Sequence, residues 1–217
     1  MAAKRRNSKN VKKRRKIKLT IRVVLVVLLV IAAIVIRNSI VKTKEARIVS
    51  KMQKIEVPDF VELAILEPDA NSRSGKELEA VRNIVIHYVA NPGTTAMQNR
   101  DYFAGDETVV NAHFVVGLEG EIVQCIPLNE QSVASNWRNA DTISIEVCHP
   151  DETGKFNEET YQSLVKLTAW LLKECKLKPD DVIRHYDITG KLCPLYYVEN
   201  PDAWTAFLGE VSKALKQ

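Results

Sequence analysis

Arg184-His185-Tyr186-Asp187-Ile188-Thr189-Gly190-Lys191-Leu192-Cys193-Pro194 sets an imidazole and a thiol on either side of a glycine, with a lysine between them. His185 and Cys193 are too far apart to share one helical face, yet a turn at Gly190 brings them together. An imidazole paired with a thiolate favours zinc over calcium or magnesium, which take oxygen ligands. A catalytic zinc needs three protein ligands and keeps a fourth position for water or substrate. The third ligand is expected from His87, which closes the apolar run Ile84-Val85-Ile86, so that a buried strand delivers its ring at the end of a sheet. Lys191 then puts an ammonium where an oxyanion would develop on a polarised carbonyl. Taken singly, His87 and His185 read as satisfied core histidines and Cys193 as a buried thiol; the set is what points to a metal.

Working outward, Asp141-Thr142-Ile143-Ser144-Ile145-Glu146-Val147-Cys148 alternates, with Ile143, Ile145 and Val147 on one face and Ser144, Glu146 and Cys148 on the other. If the second face turns toward the metal, Glu146 is the natural base, able to take a proton from an attacking water and hand it to a departing amine. The alternative is a solvent-facing strand carboxylate. His113-Phe114-Val115-Val116 and Glu121 to Ile126 are two β-rich runs joined by Gly117-Leu118-Glu119-Gly120, a hairpin connection, and Pro127 ends the second. As a lone strand histidine, His113 reads as structural, and His149 beside Pro150 reads as a loop residue.

Phe60 to Leu66 alternates partly and is expected to be an edge strand, followed by the loop Asn71 to Lys76. Asn91 to Thr95 is a turn that leads into a helix over 95–103, with Thr94 as its cap. Asn157 caps an amphipathic helix carrying Tyr161, Leu164, Val165, Thr168, Leu171, Leu172 and Cys175 on one side. Asn200-Pro201 opens the last helix, whose buried stripe is Trp204, Phe207, Leu208, Val211 and Leu215. Strands interleaved with helices around one sheet indicate a single α/β or α+β domain.

The N-terminus is of another kind. The first eighteen residues hold ten Lys or Arg and no acid, and they lead into the apolar run Val23 to Ile36 between Arg22 and Arg37. Leu19 to Ile21 and Ile40 to Val41 extend that run toward the roughly 20 residues a bilayer needs, with the arginines snorkelling. A basic flank stays in the cytoplasm, which puts the N-terminus inside and the rest outside. A signal peptide cleaved after the run is the rival reading, although Arg37-Asn38-Ser39 is a poor cleavage site. The whole chain has 31 basic and 27 acidic residues; without the tail, 21 basic face 27 acidic, a net of −6. The formal +4 therefore belongs to the tail, and the remainder is not expected to bind nucleic acid or anionic polymers by bulk charge. Four cysteines give no disulfide framework: with Cys193 on a metal, Cys125, Cys148 and Cys175 are an odd set, and a Cys125–Cys148 bridge is left open.

Arg-His-x-Asp-Ile-Thr-Gly-Lys-x-Cys-Pro, with Ile-Val-Ile-His upstream and Ser-Ile-Glu-Val between, resembles the zinc-dependent N-acetylmuramoyl-L-alanine amidases of the type-two family, relatives of the amidase-type phage lysozymes and of the peptidoglycan recognition proteins. The likeness runs over about residues 80–210. It implies an α/β domain with a central mixed β-sheet flanked by helices, Zn2+ on His87, His185 and Cys193, and Glu146 and Lys191 as catalytic residues. It places Ser144 where glycine is usual and His113 in the site's outer shell. Ala112 stands where the phage-lysozyme branch carries a catalytic tyrosine, so this chain looks like the branch that relies on the glutamate. The implied activity is hydrolysis of the bond between the lactyl group of N-acetylmuramic acid and L-alanine in peptidoglycan; a non-catalytic peptidoglycan-binding module of the same fold and a zinc carboxypeptidase are the alternatives. The expected organisation is a basic cytoplasmic tail over 1–18, a transmembrane anchor over 19–41, a stalk over 42–58 and a zinc amidase domain over 59–217. The expected protein is a monomer held at the cell membrane, with the catalytic domain outside.

Overall fold

The computed structural model describes residues 2–68 and 70–217, with side chains described from Lys18 onward. The chain divides into two units, residues 1–44 and 45–217. The first consists of most of helix α1 (Ala2–Met52), and its apolar side chains from Leu19 to Val41 are exposed. From Lys18 onward this helix is long and apolar enough to cross a membrane by length and composition.

The second unit is built on a six-stranded mixed sheet. Its strands are β1 (Glu62–Leu63), β2 (Asn83–Ile86), β3 (Phe114–Val116), β4 (Ile122–Gln124), β5 (Thr142–Val147) and β6 (Val182–Arg184), in the spatial order β1-β4-β3-β5-β2-β6. Among the described strands β3 and β4 form the antiparallel pair, joined by the hairpin at Gly117–Gly120. The strands β3, β5, β2 and β6 run parallel, with Ile84 opposite Ile143 and Val182, and Ile86 opposite Ile145 and Arg184. Parallel strands are covered on both faces, which explains why Ile84, Val85, Ile86, Ile143 and Ile145 are all fully buried.

The alternation in β5 sorts the two layers. Ile143, Ile145 and Val147 join Leu164, Leu167, Leu171 and Leu172 of α3 (Glu158–Cys175) and Phe207 and Val211 of α6 (Pro201–Ala214) in the larger core. Each such leucine contributes about 1.5–3 kcal/mol by leaving water. Asn157 caps α3 by accepting the Thr160 N–H at 2.9 Å, as its sequence position implies. On the other face Cys148, Cys125, Val115, Val123 and Ala112 pack beneath Ala96 and Phe103 of α2 (Ala96–Phe103). The cap of α2 is Thr95 rather than Thr94: Thr95 and Gln98 form a reciprocal capping box, whereas the Thr94 hydroxyl turns back to the Asn91 carbonyl. All four cysteines are free thiols.

Two local features lock the site's surroundings. The Glu121 carboxylate accepts the N–H groups of Ala96 and Glu119, tying the hairpin to the start of α2, and it occupies the space a Cβ on Gly117 would need, 1.7 Å from the built position. At the other end of the unit the last turn of α1 is part of the larger core, with Val49 and Met52 buried and Glu45 paired to Arg82 at 3.0 Å.

Candidate metal centre

Three parallel strands, β5, β2 and β6, release the chain at the same edge of the sheet, the usual place for ligands in α/β proteins. His87 follows the last residue of β2, and its N–H still bonds the Ile145 carbonyl at 2.9 Å, so the ladder fixes where its ring emerges. Glu146 lies one residue before the end of β5. His185 comes directly after β6 and starts the short helix α4 (His185–Thr189). Asp187 accepts the Arg184 N–H at 2.8 Å and its guanidinium at 2.7 Å, closing the first turn. Gly190 ends α4 at φ 78°, a left-handed conformation that glycine adopts without steric cost. The chain then returns, and the Tyr186 N–H bonds the Cys193 carbonyl at 2.9 Å. A five-residue helix α5 (Leu195–Glu199) follows.

The result is a cluster in which ligand atoms of His87, His185 and Cys193 lie within 4.8 Å of one another, all three residues buried. Cys193 Sγ is 3.9 Å from His87 Nδ1, and the two imidazole centroids are 4.6 Å apart. Glu146 Oε1 is 3.9 Å from His87 Nδ1. Buried polar atoms normally have partners, yet His87 Nε2, His185 Nδ1 and Glu146 Oε2 have none among the described residues.

The electrostatics fit the same purpose. Burial, then the neighbouring His185 and Lys191, hold His87 well below its ordinary value, and burial and Lys191 lower His185. Both shifts favour the neutral rings, which offer lone pairs. Burial pushes the Cys193 thiol up to about 12, a group that a bound dication would deprotonate outright. Burial likewise lifts the Glu146 carboxyl to about 8, with the Lys191 charge pulling the other way. Two neutral imidazoles and a thiol, with unpartnered buried ring nitrogens, match a zinc donor set. The cluster opens into a groove of about 660 Å³ whose walls include Asn111, Asn136, Glu146, His185, Lys191 and Cys193. Lys191 is exposed at its mouth.

Sequence reasoning missed Asn136. Its amide oxygen accepts a hydrogen bond from His185 Nε2 at 2.8 Å, across 49 residues of sequence. The only available signal was an asparagine in a polar turn, a residue type that tolerates its φ of 53°. His113 stands apart from the groove, with both ring nitrogens engaged by Glu130 and Ser144. His149 lies in the loop after β5 but is buried; its Nδ1–H donates to the Asp151 carbonyl at 2.7 Å and its ring lies 5.1 Å from that of Tyr88.

A mixed α/β domain carrying a His–His–Cys cluster beside a partly buried glutamate at the ends of its parallel strands is the class that fold and site define. The family model described as N-acetylmuramoyl-L-alanine amidase matches residues 77–195, and the chain belongs to that family. Among curated relatives, the N-acetylmuramoyl-L-alanine amidase CwlL of Bacillus licheniformis is 32% identical over 161 residues, covering 66% of this chain and 44% of its own. The N-acetylmuramoyl-L-alanine amidase BlyA of Bacillus subtilis (strain 168) is 33% identical over 161 residues, covering 64% of this chain and 43% of its own. The matched region thus spans less than half the length of these relatives. The solved catalytic domain of XlyA superposes with a TM-score of 0.62 at 25% identity, over 70% of this chain and 98% of that one. PlyL shares the fold, with a TM-score of 0.64 at 19% identity over 71% of this chain and 98% of its own.

Proposed function

We propose that the chain is a zinc-dependent amidase that hydrolyses the amide between the lactyl group of N-acetylmuramic acid and L-alanine in peptidoglycan. The observation that carries this reading is the buried His87, His185 and Cys193 cluster with Glu146 3.9 Å from one of its rings. Zinc, held by those three residues, would supply Lewis-acid polarisation of the scissile carbonyl. Glu146 is the base: it takes a proton from the attacking water and delivers it to the departing amine of L-alanine, and its unpartnered Oε2 is free to do so. The Lys191 ammonium at the mouth of the groove steadies the negative charge that grows on the carbonyl oxygen. A binding module lacking hydrolysis would need no desolvated carboxylate beside the donor cluster, and Glu146 is such a group. The test is mass spectrometry of purified wall fragments incubated with the detergent-solubilised chain. Free stem peptides beginning with L-alanine are expected from the wild type, and Glu146→Gln is expected to lose about 10²–10⁴-fold in rate. Cleavage within the peptide or the glycan, or an unimpaired Glu146→Gln, overturns the assignment.

The same reading requires the active unit to meet the wall. We infer a tail over 1–18 inside, an anchor over 19–41, and the remainder, 42–217, outside as a monomer at the cell membrane. The ten basic residues before the apolar helix support that orientation. Protease added to cells stripped of wall should digest the outer unit and spare a tag on Met1. A soluble form starting near residue 40 would show a cleaved signal peptide instead, and a protected outer unit would contradict the wall assignment.

A further inference from the structure

We propose that Asn136 is the positioning residue that commits His185 to metal binding through Nδ1. The proposal rests on the zinc reading of the cluster. An amide oxygen only accepts, so the 2.8 Å contact from Asn136 Oδ1 requires the hydrogen of the neutral ring to sit on Nε2. The lone pair is then on Nδ1, the ring nitrogen of His185 that is buried without a partner. Partners of this kind fix both the tautomer and the orientation of a metal-binding histidine.

The loop that carries Asn136 is built independently of His185. The Asn139 side-chain oxygen accepts the N–H groups of Ala134 at 3.2 Å and Ser135 at 2.7 Å, shaping the approach to residue 136. Arg138 donates to Asp141 at 2.7 Å and to Asn83 at 2.6 Å, and its carbonyl accepts the Thr142 hydroxyl at 2.8 Å. Asn83 and Thr142 begin β2 and β5, the strands that deliver His87 and Glu146, so the loop is pinned to the site's own scaffold. At φ 53° most side chains would cost about 1–2 kcal/mol, and asparagine is one of the few residues that visit this region readily. A turn asparagine needs no partner for its side chain; Asn136, itself exposed, aims its oxygen at a ring of the cluster.

Asn136→Gly and Asn136→Asp separate the two roles. Glycine keeps the backbone conformation and removes the acceptor, while aspartate keeps the acceptor. In the full-length chain in detergent, zinc affinity by competition with a chromophoric chelator should fall about 10–100-fold for Asn136→Gly and stay near wild type for Asn136→Asp. The visible bands of the cobalt-substituted protein should change in the first variant and not in the second. Unchanged zinc affinity in Asn136→Gly, or an equal loss in both variants, overturns the proposal. A folded wild-type chain that binds no zinc sinks the metal reading itself, and is told apart because no variant is needed to see it.

Discussion

His113 and His185 are both buried histidines, one before the start of β3 and the other after the end of β6, and their surroundings differ in how completely they are satisfied. The Nε2–H of His113 donates to the Glu130 carbonyl at 2.9 Å and its Nδ1 accepts the Ser144 N–H at 3.1 Å. Ser144 in turn shares a hydrogen bond of 2.7 Å with Ser132, and Glu130 is gripped by Arg73 through two contacts at 2.7 and 2.8 Å. Nothing is left over. At His185 one nitrogen is engaged by Asn136 and the other, like Nε2 of His87, is buried alone. The protein thus leaves uncompensated, at one end of the sheet, the kind of polar atom it pairs in full at the other. Leaving a donor or acceptor buried and unpaired costs about 1–3 kcal/mol, so repeated orphans in one cluster mark a place where a ligand completes the structure.

The contrast is sharpest at Cys193. Cys193→Ser replaces a potential thiolate by a hydroxyl that stays protonated, and zinc affinity of the full chain should fall by more than about 100-fold, beyond the range for losing an outer partner. Metal analysis showing undiminished zinc in that variant would erase the distinction between the two regions. The smaller effect belongs to His113, which burial holds at about 4, with the Glu130 contact opposing. Its unfolded value is about 6.5, so between those limits the unfolded chain binds the extra proton and stability falls as pH falls. The loss begins near pH 6.5 and is complete below about 4. For the metal-free chain, His113→Gln should make the drop in unfolding free energy between pH 7 and 4.5 smaller by about 2–3 kcal/mol. Parallel declines in denaturant titrations of the two proteins would remove His113 as a buried neutral group.

Much of this was readable in residue order. The apolar run Ile84 to Ile86 is uninterrupted because β2 lies inside a parallel sheet covered on both faces, and His87 stands directly after its last residue, where the strand leaves that cover. The alternation of β5 placed Glu146 opposite its isoleucines, and Gly190 stood where the chain between His185 and Cys193 had to turn. Asn136 escaped because its role depends on a tertiary contact and a left-handed backbone, neither of which has a local periodicity. Thr94 competed with Thr95 for the cap because either hydroxyl can serve; the pairing of Gln98 with Thr95 decided it. Residues 42–58 read as a charged stalk, since Val49 and Met52 are one turn apart among lysines, arginine and glutamate and form too short a stripe to register.

Those two side chains have a consequence for how such a protein can be assembled by genetic exchange. Val49 and Met52 sit in the same core as Leu164 and Phe207, and Ile55, Val57 and Phe60 pack against it. Glu45 adds an ion pair with Arg82, a contact on a half-exposed arginine that contributes little beyond fixing position. A recombination joint at Pro58 would leave a hydrophobic socket with no plug, whatever new leader was attached. A joint ahead of Glu45 carries the plug along with its socket. The seam at which this unit can be exchanged between carriers therefore lies inside the long helix, upstream of the point where composition alone would draw the border.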